Sequence, residues 1–92
     1  MYLTAYHFAG DPQRILAGYE TMMKDFPVES LQLHLSVVTF HGLSVFDGCP
    51  SYDEAVEFAQ SDGFLKAIAD AGLPSPRVEH LGEVHSSIPR VG

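Results

Sequence analysis

Residues 31–50 read LQLHLSVVTF, then His41-Gly42, then LSVFDGCP: two β-compatible runs around a turn-forming pair. A glycine there suits a two-residue hairpin loop that needs positive φ. With His41-Gly42 as the turn, Phe40 lies opposite Leu43, Val38 opposite Val45, Ser36 opposite Asp47, and His34 opposite Cys49. That face runs from apolar at the turn to a histidine, a hydroxyl, a carboxylate and a thiol at the far end. The other face carries Leu31, Leu33, Leu35, Val37 and Phe46. Side chains alternate across a strand, so each face needs its own cover. The leucine face is expected to form the core under the helices, and the mixed face a pocket.

The flanking sequence completes the frame. Residues 2–9, YLTAYHFA, are aromatic and β-compatible and stop at Gly10, which predicts strand 1. Asp11-Pro12 predicts a helix start, with Asp as N-cap and Pro in the first turn. Ile15, Tyr19, Met22, Met23 and Phe26 recur at helical spacing before Pro27 closes the segment. After the hairpin, Ser51 followed by Glu54 predicts a second capped helix. Ser61-Asp62-Gly63 predicts a break in it, with the apolar pattern resuming at Phe64, Leu65, Ile68 and Ala71. Gly72 and Pro74 end it, and residues 77–85, RVEHLGEVH, predict strand 4.

The order is β-α-β-β-α-β. With right-handed crossovers it gives an α+β ferredoxin-like fold, a four-stranded antiparallel sheet with both helices on one face. Residues 1–86 are expected to form one domain and 87–92 a C-terminal tail.

A chain of 92 residues buries only roughly 60–65% of its unfolded surface, so its core is marginal alone. Yet 46% of its residues are apolar. Two helices cover one sheet face, and the other would expose more apolar surface than suits a monomer, which predicts a homodimer joined sheet to sheet. The net charge of −7 with five scattered Lys and Arg argues against nucleic acid and against anionic membrane surfaces. No run approaches the roughly 20 apolar residues of a membrane span, and MYLTAYHFAG lacks the features of a signal peptide. The lone Cys49 excludes an internal disulfide and suits a reducing, cytoplasmic setting.

The element order over residues 2–85 resembles the architecture of the dimeric α/β-barrel superfamily, in which two ferredoxin-like protomers face each other, and the hairpin LHLSVVTFHGLSVFDGCPS and the strand LGEVH resemble a small uncharacterised group within it. That superfamily includes antibiotic-biosynthesis-type monooxygenases, muconolactone isomerases, and EthD-like and stress-responsive barrel proteins. The resemblance implies a homodimer with a pocket inside the barrel. The Asn/Trp/Tyr set of cofactor-free monooxygenases is not recognisable, since the chain has neither Trp nor Asn. SVFD at 44–47 is loosely similar to muconolactone isomerase.

Within this frame the candidate catalytic residues are His34 and Asp47. A histidine titrates near neutrality, and a carboxylate on the same face can orient it as a general base. Candidate substrate-binding residues are His7, Ser36, Val38, Val45, Cys49, Glu83 and His85. His7 follows Leu3 and Ala5 by alternation, whereas Tyr2, Tyr6 and Phe8 suit the helix layer by bulk. His80 and His41 are expected to be exposed, Tyr6 and Tyr19 to be core or interface aromatics, and Cys49 to be a small buried residue rather than a nucleophile. No metal site is predicted, because no HxH or HExxH spacing occurs, and no cofactor is predicted. The expected function is proton-transfer chemistry, of isomerase or cofactor-free oxygenase type, on a small organic molecule. A non-catalytic small-molecule-binding or interaction protein is the alternative, and a haem or metal barrel the weaker one.

Overall fold

The computed structural model describes every residue except 28, 30, 91 and 92. Its elements are β1 (Tyr2–Ala9), α1 (Pro12–Met23), β2 (Leu33–Thr39), β3 (Gly42–Cys49), α2 (Tyr52–Ala59), α3 (Asp62–Asp70) and β4 (Arg77–Glu83). The strands form one antiparallel sheet in the order β2-β3-β1-β4, with the helices packed on it: the ferredoxin-like topology. Of the tail, Ile88 and Arg90 are exposed, and residues 91 and 92 lie outside the described residues.

The helices begin and end where local chemistry directs. The Asp11 carboxylate accepts from the Arg14 N–H at 3.1 Å, with Pro12 in the first turn. Ser51 accepts from the Glu54 N–H at 3.2 Å. The second helix breaks where expected. The Ser61 hydroxyl donates to the Phe58 carbonyl at 2.8 Å and accepts from the Phe64 N–H at 3.3 Å, closing α2 and opening α3 with one side chain. Leu65 is an exception to the expected apolar side, facing outward at 51% exposure.

The hairpin differs from expectation in register. Phe40 and His41 form the loop, and Thr39 pairs with Gly42, Val38 with Leu43, Ser36 with Val45, and His34 with Asp47. Gly42 therefore serves the sheet rather than the turn. Its φ is +148°, and a Cβ there would lie 1.9 Å from the Phe8 carbonyl oxygen of β1. Its small size lets β1 approach, and the Gly10 N–H then ties the end of β1 to the His41 carbonyl at 2.8 Å. The slip is two residues, so each side chain keeps its face.

The larger correction concerns the faces. The helices cover the mixed face, not the leucine face. Tyr6, Phe8, Leu43 and Val45, all under 5% exposed, meet Ile15, Tyr19, Phe64, Ile68 and Leu73 in the core. The physical reason lies in the two central strands. On the helix side β1 and β3 present Thr4, Tyr6, Phe8, Leu43 and Val45, with the bulk to fill a helix–sheet layer. On the other side they present Ala5, His7, Ala9, Gly42, Ser44 and Gly48 beside Leu3 and Phe46, which is too shallow. The leucines of β2 lie on an edge strand, where Leu35 and Val37 remain about half exposed.

Strand β4 carries a bulge. Leu3 pairs with Gly82 but Thr4 with His80, which leaves Leu81 extra, and Gly82 takes φ +145°. Alternation from Val78, which pairs with Tyr6, puts His80 on the helix side, where it is half-buried rather than exposed, its Nδ1 at 3.1 Å from the Thr4 hydroxyl; the bulge after it sets Glu83 opposite Tyr2.

Candidate functional site

Pairing across the sheet sets one polar row on the helix side: His34, Asp47, Thr4 and His80, one from each strand. At its β2 end, His34 Nδ1 lies 2.5 Å from Asp47 Oδ1, and His34 Nε2 lies 2.5 Å from the Tyr19 hydroxyl. With Asp47 ionised, the proton belongs on Nδ1, which donates to the carboxylate and leaves Nε2 to accept from Tyr19 O–H. The phenol ring of Tyr19 stacks on the imidazole at 5.9 Å and 4°, and Phe26 leans over it at 6.5 Å. Tyr19 reaches His34 from α1, so a helix supplies the third member of the array.

Asp47 is 3% exposed. Burial raises its pKa above the ordinary carboxylate value, and the hydrogen bond and charge of His34 pull it partly back. A carboxylate in this position holds the imidazole orientation by accepting from Nδ1–H. The array can thus accept a proton at the Tyr19 oxygen while the phenol proton passes to Nε2.

His34 and Asp47 of the array line a small cavity of about 10 Å³, which Tyr6, Phe8, Met22, Met23, Phe26, Val45 and Phe64 complete. Tyr6 is 1% exposed, and its hydroxyl is the one buried side-chain nitrogen or oxygen among the described residues without a hydrogen-bond partner. Burial raises the pKa of this phenol, and the nearby Asp47 and Cys49 raise it further. Beyond Phe26 and Phe64 lies a pocket of about 310 Å³ that shares both rings and Met22 with the cavity. A second pocket, of about 430 Å³, is lined by Leu31, Cys49, Pro50, Glu54, Glu57, Phe58 and Ser61. Phe58 borders both pockets and packs on Phe26 and Phe64 at 5.8 and 4.7 Å. These aromatic rings form the wall between the open pockets and the array.

The residues singled out in the sequence separate into groups. His34 and Asp47 come together directly opposite each other, and Val45 joins them in the cavity wall. Ser36 and Val38 share their face but lie exposed on the β2 edge. Cys49 is not opposite His34; it pairs with Tyr2 of β1 and is 6% exposed. Burial, then Asp47 and Glu54, push its thiol pKa up, away from the nucleophilic thiolate. Glu83 and His85 lie at the opposite edge, β4 being about 14 Å from β2 at the usual strand spacing. Glu83 there meets the N-terminal amine at 3.2 Å, and His85 is exposed.

His7 belongs to the other side of the sheet. Its Nδ1 lies 2.8 Å from the Ser44 hydroxyl and its Nε2 3.0 Å from a Glu79 oxygen, on the face the helices leave open. The two histidines expected in one pocket therefore stand on opposite faces, each in its own hydrogen-bonded chain.

Tyr19 and Tyr6 are the functional candidates that sequence reasoning passed over as core aromatics. Helical spacing points Tyr19 inward, but no local pattern pairs it with a histidine fifteen residues later.

Among the described residues no group of three or more His, Cys, Asp or Glu side chains is arranged to hold a metal ion, and no helix is long and apolar enough to cross a membrane. Comparison of the chain with known protein families, with curated proteins and with solved structures finds no match in any of the three.

Proposed function

We propose that this protein is an enzyme that moves a proton on a small, largely apolar organic molecule, held between the sheet and the helices rather than between two sheets. The carrying observation is the Tyr19–His34–Asp47 array, whose His34 and Asp47 lie in the wall of an aromatic-lined cavity. A buried carboxylate, an oriented imidazole and a phenol are costly in the core of a short chain, and proton transfer is the chemistry this set performs. The substrate enters past Phe26 from the adjoining pocket of about 310 Å³, a size that suits a small ligand.

We also propose membership of the dimeric α/β-barrel superfamily, with a homodimer formed through the open sheet face. The topology supports this, and so do Leu33, Leu35, Val37 and Phe46, which form an apolar patch on that face. Light scattering should give twice the chain mass of 10.1 kDa, and Leu35→Glu should halve it; a monomeric wild type would remove the dimer.

The test of proton transfer uses solvent deuterium. A panel of small cyclic ketones and lactones in D₂O, followed by proton NMR, should show incorporation next to the carbonyl with wild type. His34→Gln, which keeps a donor for Asp47, should lose it. Equal incorporation with both proteins would refute the role of His34.

A non-catalytic binding protein is the second reading. It is favoured by the small volume of the cavity, about 10 Å³, and by Tyr19 occupying His34 Nε2. Saturable binding of panel members without any exchange would select it.

A further inference from the structure

The Tyr6 hydroxyl is the feature that neither the fold nor the Tyr19–His34–Asp47 array uses. An unpaired buried hydroxyl is destabilising, and a phenylalanine would fill the same space without that cost. Tyr6 nevertheless lines the cavity that His34 and Asp47 line. Its ring is held edge-on by Phe58 at 6.5 Å and Phe64 at 5.2 Å, so the phenol has a fixed direction. Burial and the neighbouring Asp47 and Cys49 keep the proton on the oxygen. The group is therefore a permanent donor without an acceptor.

We propose that Tyr6 is a positioning residue that donates its O–H to an acceptor oxygen of the ligand, and that the ligand is a neutral, flat, one- or two-ring compound bearing a carbonyl. The proposal rests on the cavity assigned above as the substrate site. Each part of the class follows from the site. The oxygen answers the Tyr6 donor. Neutrality follows from buried Asp47, which would repel an anion. Flat rings match the Phe26, Phe58 and Phe64 wall, since aromatic faces and edges prefer to pack on one another. The adjoining volume of about 310 Å³ limits the size.

The same hydrogen bond would strengthen during reaction. The C–H bond beside the carbonyl breaks, and its proton goes to the Tyr19 oxygen as the phenol proton passes to His34. The bonding pair forms the enolate, whose oxygen Tyr6 then holds.

The experiment compares 1-indanone with indane, its carbonyl-free counterpart, by NMR titration of the full chain as wild type and Tyr6→Phe. The ratio of indane Kd to indanone Kd should fall about tenfold in Tyr6→Phe, the loss of one buried hydrogen bond. The carbonyl stretch of bound indanone should lie at lower frequency in wild type and return toward its apolar-solvent value in the variant. The unliganded variant should melt no lower than wild type. A ratio unchanged within about twofold, or an unshifted stretch, would overturn the role of Tyr6 and leave His34 to the deuterium test. A large drop in unliganded stability would also overturn it, by showing that the hydroxyl has a partner within the chain. Binding of neither compound to wild type would overturn the pocket and this proposal together.

Discussion

His34→Ala should destabilise the fold, and by an amount that Asp47 controls. Asp47 is 3% exposed and its hydrogen-bonded partner is the imidazole of His34. Removing one partner of a buried pair typically costs about 3–5 kcal/mol, because the remaining charge is left uncompensated. The His34 side chain is 20% exposed on an edge strand, so water can partly replace it, and the low end, about 3 kcal/mol, is expected. A domain of 92 residues has about 5–14 kcal/mol in all at roughly 0.05–0.15 kcal/mol per residue, so the loss is large.

Asp47→Asn should behave differently. Its neutral amide oxygen can still accept from Nδ1–H, and the desolvated charge is gone, so stability should hold or rise at neutral pH. The double variant His34→Ala/Asp47→Asn should then lose only about 1 kcal/mol, for packing and the Tyr19 bond. The pH sign follows from Asp47. Its folded pKa lies above the ordinary 3.8, so its contribution to stability is fully present below 3.8 and is lost as pH rises through the folded value. Without His34 the two influences that lower the folded value vanish, and it rises further. The His34→Ala penalty should therefore be full at neutral pH and shrink on acidification. Urea unfolding of the four proteins across pH measures this. A loss under about 1 kcal/mol at neutral pH, or one that neither acid nor Asp47→Asn relieves, would refute the coupled buried pair.

Tyr19→Phe keeps the ring on the imidazole and removes the hydroxyl; exchange activity should fall at least about tenfold while urea unfolding shifts by about 1–1.5 kcal/mol or less. Phe26→Ala should join the cavity to the pocket of about 310 Å³ and speed ligand association in stopped-flow, at about 2 kcal/mol in stability, since Phe26 is only half-buried. Gly42→Ala would set a Cβ 1.9 Å from the Phe8 carbonyl oxygen at φ +148°, so hydrogen exchange should show the β1–β3 pairing lost near the turn; a variant as protected as wild type would contradict so close an approach of the two strands.

The site carries groups whose removal should leave the fold no less stable. Asp47 is a desolvated carboxylate and Tyr6 an unpaired phenol, both under 4% exposed. A chain with a marginal core carries such groups at the expense of stability, which is the pattern that the proposed site predicts.

Much of the fold is legible in local chemistry. The caps at Asp11, Ser51 and Ser61 are short-range hydrogen bonds, and they place the helix starts within a few residues. Two-residue alternation puts His34 and Asp47 on one side of the hairpin in any register that slips by an even number of residues, which is why a two-residue slip left the pair intact and brought it closer. Which side the helices cover was not local. It depended on the summed bulk of β1 and β3, brought together across about 40 residues of chain, and the hairpin read alone pointed to the wrong side. Non-local packing likewise joined Tyr19 to His34 fifteen residues later, parted His7 from the site, and set His80 beside Thr4 on the helix side. Periodicity sets which residues share a side of an element. Only packing, where volumes from distant segments must fill one layer, sets what that side meets.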